Sequence, residues 1–354
     1  MKRTICILLA LVMVFALCAC GNSAAPAASN EPAGNQGGNE VQNDTPAEKI
    51  VIKAGHHTAT DSTFNYGFEA FKAAIEELSG GSMVVEIYPA GQLGDQTELI
   101  QQLQTGTVQM AITSCADLAN FAPNVGVLDV PYMFQTKQQA WNAMDGEVGD
   151  YFSDYIKENV GVYTCGYWSG GTRSVFSSKG AINTVEDMKG LKIRTQPADV
   201  HVNSFTAMGA TVTPIAYTEL YSALQQGVVD AAENDPSNYY SMKFYEVCKY
   251  YSLTEHIQQV ASSIVLVSPS FYDSLTEEQR GWFDEACAIA QADQRQFVED
   301  GAAEYIKKLE DEGVVVNEVD KESFMTAMEP FYESYVYPTY GKDLVDMIRS
   351  CPLE

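Results

Sequence analysis

Positive charge is scarce in this chain. There are 21 lysines and arginines against 47 aspartates and glutamates, for a formal net charge of −26. A balance of that sign excludes nucleic acid and anionic lipid head groups as partners of the overall field. An anionic ligand would have to be captured by local cations in a desolvated pocket, which makes each arginine on a buried strand a candidate. Histidine is scarcer still, with only His56, His57, His201 and His256. The adjacent pair cannot aim both rings the same way from a strand, because successive side chains point to opposite faces. No Cys-x-x-Cys, His-Glu-x-x-His, Gly-x-Ser-x-Gly, phosphate loop or dinucleotide glycine pattern occurs. Zinc, redox, nucleophilic and nucleotide chemistry therefore have no motif to stand on, and neither catalysis, metal nor cofactor is expected. Past residue 19 no apolar run is long enough to cross a bilayer.

What is present begins with Lys2 and Arg3 ahead of an apolar stretch from Ile5 to Ala19, the pattern of a signal peptide over residues 1–19. It closes on Leu17-Cys18-Ala19-Cys20 followed by Gly21. That sequence looks like a bacterial lipobox, so Cys20 is expected to be the lipidated first residue of the mature chain. Residues 20–48 are rich in Ala, Pro, Gly, Asn, Ser and Gln, and they bury too little apolar surface to offset the entropy of ordering. They read as a disordered tether holding a globular part at the outer face of a membrane. Of the eight cysteines, five lie beyond this region: Cys115, Cys165, Cys248, Cys287 and Cys351. An odd, widely spaced set in an exported chain does not form a disulfide scaffold.

The ~305 residues from Lys49 onward exceed what one hydrophobic core holds comfortably, so two domains are expected. Strand and helix patterns alternate. Lys49–Gly55 alternates as a strand, and Phe64, Phe68, Phe71, Ile75 and Leu78 then recur at helical spacing before Ser79-Gly80-Gly81. Met83–Tyr88, a helix over Leu99–Leu103 ending at Gly106, and Val108–Ile112 complete a βαβαβ half. Strand patterns over Val162–Trp168, Ser174–Ser178, Leu191–Thr195 and Val212–Ile215, with helices over Val200–Met208 and Glu219–Gln226, make a second half. Between them, Thr184 with Asp187 three residues on reads as a helix N-cap. Ile257–Ser268 reads as one long apolar strand returning to the first half, and Glu277–Glu312 as a bracing helix about three times the usual length. Two α/β lobes joined by crossing strands place a ligand cleft between them. The lobes are expected at 49–170 plus 259–300 and at 171–258 plus 301–354.

The stretch from Leu191 to His256, with GQLGDQTELIQQLQTGTVQMAITS at Gly91–Ser114, VLDVPYMF at Val127–Phe134 and SLTEEQRGWFDEA at Ser274–Ala286, resembles the solute-binding proteins of tripartite ATP-independent periplasmic (TRAP) transporters, the DctP family. The resemblance runs from about Ile50 to the C-terminal helices. It implies a two-lobed fold like that of type II periplasmic binding proteins, and a set of site residues. Arg194 ends Gly-Leu-Lys-Ile-Arg at Gly190–Arg194, the position of the arginine that grips the ligand carboxylate in relatives. A planar guanidinium matches a carboxylate's two oxygens and stays charged when buried. Arg173, in Tyr167-Trp168-Ser169-Gly170-Gly171-Thr172-Arg173, matches the second arginine, with Thr172 where many relatives have Phe. Asn234 matches the asparagine of a Gln-Glu-Asn loop, with Ala231-Ala232 in place of the usual Gly-Gln. Tyr217 stands where relatives carry an aromatic wall. His56 or His57, Asp95, Thr113 or Ser114, and Trp168 lie at positions of weaker specificity contacts.

The function so implied is capture of a carboxylate-bearing organic acid, a C4-dicarboxylate or a sugar acid such as a uronate, between lobes that close by hinge motion. Delivery would be to integral membrane TRAP subunits, by a monomer anchored through Cys20 on the outer face of the cytoplasmic membrane. A sensing module presenting the same acid to a signalling receptor, and a secreted enzyme acting on sugar acids, are the alternatives. The motifs do not rank one acid above another.

Overall fold

In a computed structural model, the described residues are Lys49–Glu354 with the exception of Val260. The signal peptide, Cys20 and the tether lie outside them. Eleven strands are described: β1 (Ile50–Gly55), β2 (Met83–Tyr88), β3 (Met110–Ser114), β4 (Tyr163–Tyr167), β5 (Thr172–Ser177), β6 (Lys192–Thr195), β7 (Thr211–Pro214), β8 (Ala231–Asn234), β9 (Tyr250–Gln258), β10 (Ser263–Val267) and β11 (Val315–Glu318). They form two sheets, ordered β2-β1-β3-β10-β4 and β11-β9-β5-β8-β6-β7.

The first sheet grows from the βαβαβ half. Ser62 caps the helix Thr63–Leu78 by accepting from the Asn65 amide. Phe64, Phe68, Phe71 and Ile75 of that helix are buried on the sheet, and the chain leaves it through Gly80 and Gly81 at φ of 58° and 80°. β1 pairs in parallel with β2 and β3, whereas β10 enters antiparallel between β3 and β4. In the second sheet β5 runs antiparallel to β8 and β9, and β6 parallel to β7 and β8.

The apolar run expected as one strand over 257–268 is two strands. β9 belongs to the second sheet and β10 to the first, and the chain passes from one to the other between Gln258 and Ser263. The segment from β4 to β5 makes the opposite crossing beside it, and the two are tied where Gln259 N donates to Gly171 O at 2.9 Å and Trp168 N to Ser263 O at 3.0 Å. Glycine is required here: a Cβ on Gly170 would sit 2.5 Å from the Gln259 amide, and Gly171 has φ of 96°.

The bracing helix runs Glu277–Asp311, opened by a capping box of Thr276 and Gln279. Its 35 residues span about 50 Å. It lies along the first helix through stacked Tyr66 and Phe297 at 4.0 Å and the Phe71–Phe283 edge contact at 5.3 Å. Gln294, midway along it, accepts from Ser169 N at 2.8 Å and donates to Ser169 O at 2.6 Å, clamping one crossing. Residues 301–354 touch both halves. Asn317 and Ser323 bond to Ile182 and Val185 near the second sheet, while Tyr332 bonds to Pro131 and Gln139 to Arg349.

Candidate ligand site

The strand order β5-β8-β6 brings together residues far apart in sequence. Antiparallel pairing sets Ser174 opposite Asn234 and Val175 opposite Glu233, so Arg173 reaches the end of β8. Its Nη2 donates to Glu233 Oε1 at 2.7 Å and to the Glu233 carbonyl at 2.9 Å, its Nη1 to Asn234 Oδ1 at 3.0 Å, and its Nε pairs with Glu233 Oε2. His256 Nε2 stands 3.6 Å from the same carboxylate. Burial works against the charge of Glu233, yet Arg173 and then His256 hold its carboxyl well below the ordinary glutamate range. Burial also opposes the charge on Arg173, and Glu233 overcomes it, so the guanidinium stays protonated. Arg173 is thus neutralised by the protein itself. Asn234, expected in a loop, is the last residue of β8, and its amide Nδ2 donates to the Tyr217 hydroxyl at 3.3 Å.

Arg194, on β6, is as deeply buried but differently served. Its Nε donates to the Ile215 carbonyl at 2.8 Å, while Nη1 and Nη2 are buried without a partner. Its Cζ lies 5.9 Å from the centre of the Tyr217 ring. Burial, with repulsion from Arg173, lowers its pKa to about 10 against the pull of Glu233, which still leaves it charged at neutral pH. A desolvated cation with two free donor edges is costly unless an acceptor meets it, and a carboxylate offers two oxygens at matching spacing.

Tyr217 also lines a small cavity of about 10 Å³ between strand ends, bounded by His57, Phe64, Thr113, Ser114 and Arg173 among others. That volume is about the room of one water. Its walls carry buried polar atoms with no partner: His57 Nδ1, Thr113 Oγ1, Asn238 Oδ1, Gln259 Oε1 and Ser263 Oγ. Native proteins rarely leave such atoms unsatisfied, so a cluster of them around one gap marks a place for a polar ligand. Burial, then the charges of His56, Arg173 and Arg194, drops His57 to about 3, a neutral imidazole at pH 7.

Of the residues singled out in the sequence, the structure brings Arg173, Asn234, Tyr217, His57, Thr113 and Ser114 to the cavity wall and sets Arg194 over Tyr217. Three others lie outside it. His56 is occupied on both ring nitrogens, by Thr58 Oγ1 at 3.0 Å and Asn65 Oδ1 at 3.1 Å, and stacks on Phe68. Asp95 is the N-cap of the helix Gln96–Thr105, locked in a capping box with Glu98. Trp168 is core: it packs edge-on to Phe68 at 4.8 Å and so closely over Gly67 that a Cβ there would meet its ring at 2.6 Å. Conversely Gln196, Asn238, Gln259 and Ser263 line the cavity without having been singled out. Gln196 stands two residues past Arg194, where an eye on the motif could have followed it. The others reach the site only because the strands cross there. Among the described residues no cluster of His, Cys, Asp and Glu could hold a metal ion, and no helix is long and apolar enough to cross a membrane.

Comparison with known proteins matches residues 54–338 to the model of bacterial extracellular solute-binding protein, family 7, DctP. A solute-binding protein of Chromohalobacter salexigens is 33% identical over 269 residues, covering 76% of this chain and 79% of that one. A TRAP periplasmic solute-binding protein from a Sulfitobacter species, solved with β-D-galacturonate, superposes with a TM-score of 0.81 at 34% identity, over 85% of this chain and all of the other. One from Sulfurospirillum deleyianum, solved with succinate, gives 0.81 at 28% identity over 86% and 99% of the two chains. With residues 54–338 matched to the family model and solved relatives superposing over about 85% of the chain, the chain belongs to the DctP family of TRAP solute-binding proteins.

Proposed function

We propose that this chain is the extracytoplasmic receptor of a TRAP-type secondary transporter, capturing a carboxylate-bearing organic acid between its lobes and delivering it to membrane subunits. The observation that carries the reading is Arg194, a buried cation whose Nη1 and Nη2 find no acceptor in the protein. Arg173, Glu233 and Asn234 form the scaffold beneath it, and Tyr217 is the wall over which the acid lies. The relatives solved with β-D-galacturonate and succinate support an acid as the cargo. The acid leaves unaltered, a reading supported by the solute-binding role of the family and of its relatives. A gap of about 10 Å³ does not admit such a molecule, so entry requires the lobes to part about the crossings at 168–171 and between Gln258 and Ser263.

The Leu17–Cys20 segment supports anchoring through a lipid on Cys20 at the outer face of the membrane, with the receptor acting as a monomer. Cys20→Ser would release the chain from the membrane fraction. A thermal-shift screen against uronates, aldonates, C4-dicarboxylates and neutral sugars tests the receptor itself. Stabilisation by an acid and by no neutral sugar is expected, scaling with occupancy. Stabilisation by neutral sugars alone would overturn the assignment.

A further inference from the structure

Among the described residues, the cation left without an acidic partner at the site is Arg194, set over the Tyr217 ring that forms part of the cavity wall. Arg194 keeps two unpaired nitrogens, but Arg173 is spent on Glu233 and Asn234, His57 is neutral, and no lysine is among the residues that line the cavity. The rest of the wall is neutral and has specific polarity. Asn238 Nδ2 donates to Asp235 Oδ2 at 2.6 Å, which fixes the amide, since the flipped rotamer would set its carbonyl against a carboxylate. The unpartnered Oδ1 is therefore an acceptor and calls for a donor. Thr113 and Ser263 add two unpartnered hydroxyls. Behind this wall stand carboxylates: Asp235 holds Asn238, and Asp117 accepts from the Ser114 hydroxyl at 2.8 Å. A hydroxyl can donate to Asn238 and exchange hydrogen bonds with Thr113 and Ser263. A second carboxylate only accepts, and it would be desolvated against like charge.

Resting on the reading of Arg194 as the carboxylate anchor, we propose that the site takes acids with one carboxylate and a neutral polyhydroxylated remainder, and rejects dicarboxylates of the same skeleton. The discriminating surface is Thr113, Asn238 and Ser263 on the cavity wall, and the anchor is Arg194 over Tyr217.

The test is titration calorimetry of the purified full chain at pH 7.5 with pairs that differ only in the terminal group, D-galactonate against galactarate and D-gluconate against D-glucarate, together with D-galacturonate, D-glucuronate and succinate. A monocarboxylate is expected to bind at least 100-fold more tightly than its dicarboxylate counterpart and than succinate. Thr113→Val is expected to weaken the preferred acid about tenfold, the loss of one hydrogen bond to a buried group. Arg194→Met is measured in parallel to separate this proposal from its foundation. If a dicarboxylate binds as tightly as its partner and Arg194→Met abolishes that binding, the proposal falls and the receptor assignment of the site stands. If Arg194→Met binds as the unaltered protein does, or no acid of the panel binds, both fall.

Discussion

Two arginines lie buried two strands apart in one sheet, and their surroundings could hardly differ more. Arg173 is met on three nitrogens by Glu233 and Asn234. Arg194 spends one nitrogen on a backbone carbonyl and leaves two without a partner. The adjacent histidines repeat the contrast: His56 has both nitrogens engaged within its own lobe, while His57 keeps Nδ1 free beside the cavity. A buried polar group whose needs the protein meets is architecture; a cluster of them left open around one gap marks a site.

The contrast breaks most visibly if the arginines are exchanged as targets. Arg173→Met strands the Glu233 carboxylate in the core and should lower stability by about 3–5 kcal/mol, read from urea denaturation. Arg194→Met removes a buried charge whose one hydrogen-bond partner is the Ile215 carbonyl and which no carboxylate meets directly. Its stability should hold or rise, while affinity for an acid falls by about 100-fold or more, read by calorimetry. A destabilised Arg194→Met that still bound acid would erase the distinction.

The histidines sharpen it through pH. Burial lowers His56 to about 4 and His57 to about 3. A histidine with a depressed folded value is harder to protonate in the folded chain than in the unfolded one. Its contribution is complete above the unfolded value near 6.5 and is lost as pH falls, by about 1.4 kcal/mol per pH unit for each histidine until its folded value is reached. Glu233, also depressed, acts in the same direction at lower pH. Urea midpoints taken from pH 7.5 to 4.5 should fall, and His57→Phe should flatten the slope by one histidine's share. The smallest effect belongs to Asp95, whose work is capping: Asp95→Ala should cost about 1 kcal/mol of stability and leave acid affinity unchanged.

Much of the fold was legible because its signals are local. The βαβαβ start reads from apolar spacing and from Gly80, Gly81 and Gly106, and the bracing helix from an unbroken pattern closed within a residue of where it ends. The crossing between Gln258 and Ser263 was hidden because apolar residues continue through it on either side; only the hydrogen bonds to Gly171 and Trp168 show where one sheet gives way to the other. Arg194 was legible from the resemblance carried by Gly190–Arg194. The roles of Asn238, Gln259 and Ser263 arise from strands meeting across the site, for which adjacent sequence carries no mark. His56 and His57 stand side by side just past β1, and what separates them is Asn65, on a helix that occupies one ring and leaves the other.

The most direct measurement is a crystal structure of the chain grown with D-galacturonate. The account predicts the carboxylate within about 3 Å of both Nη1 and Nη2 of Arg194, with Arg173 still paired to Glu233. A carboxylate held on Arg173 with Glu233 displaced, or one that leaves Arg194 unpaired, would contradict it.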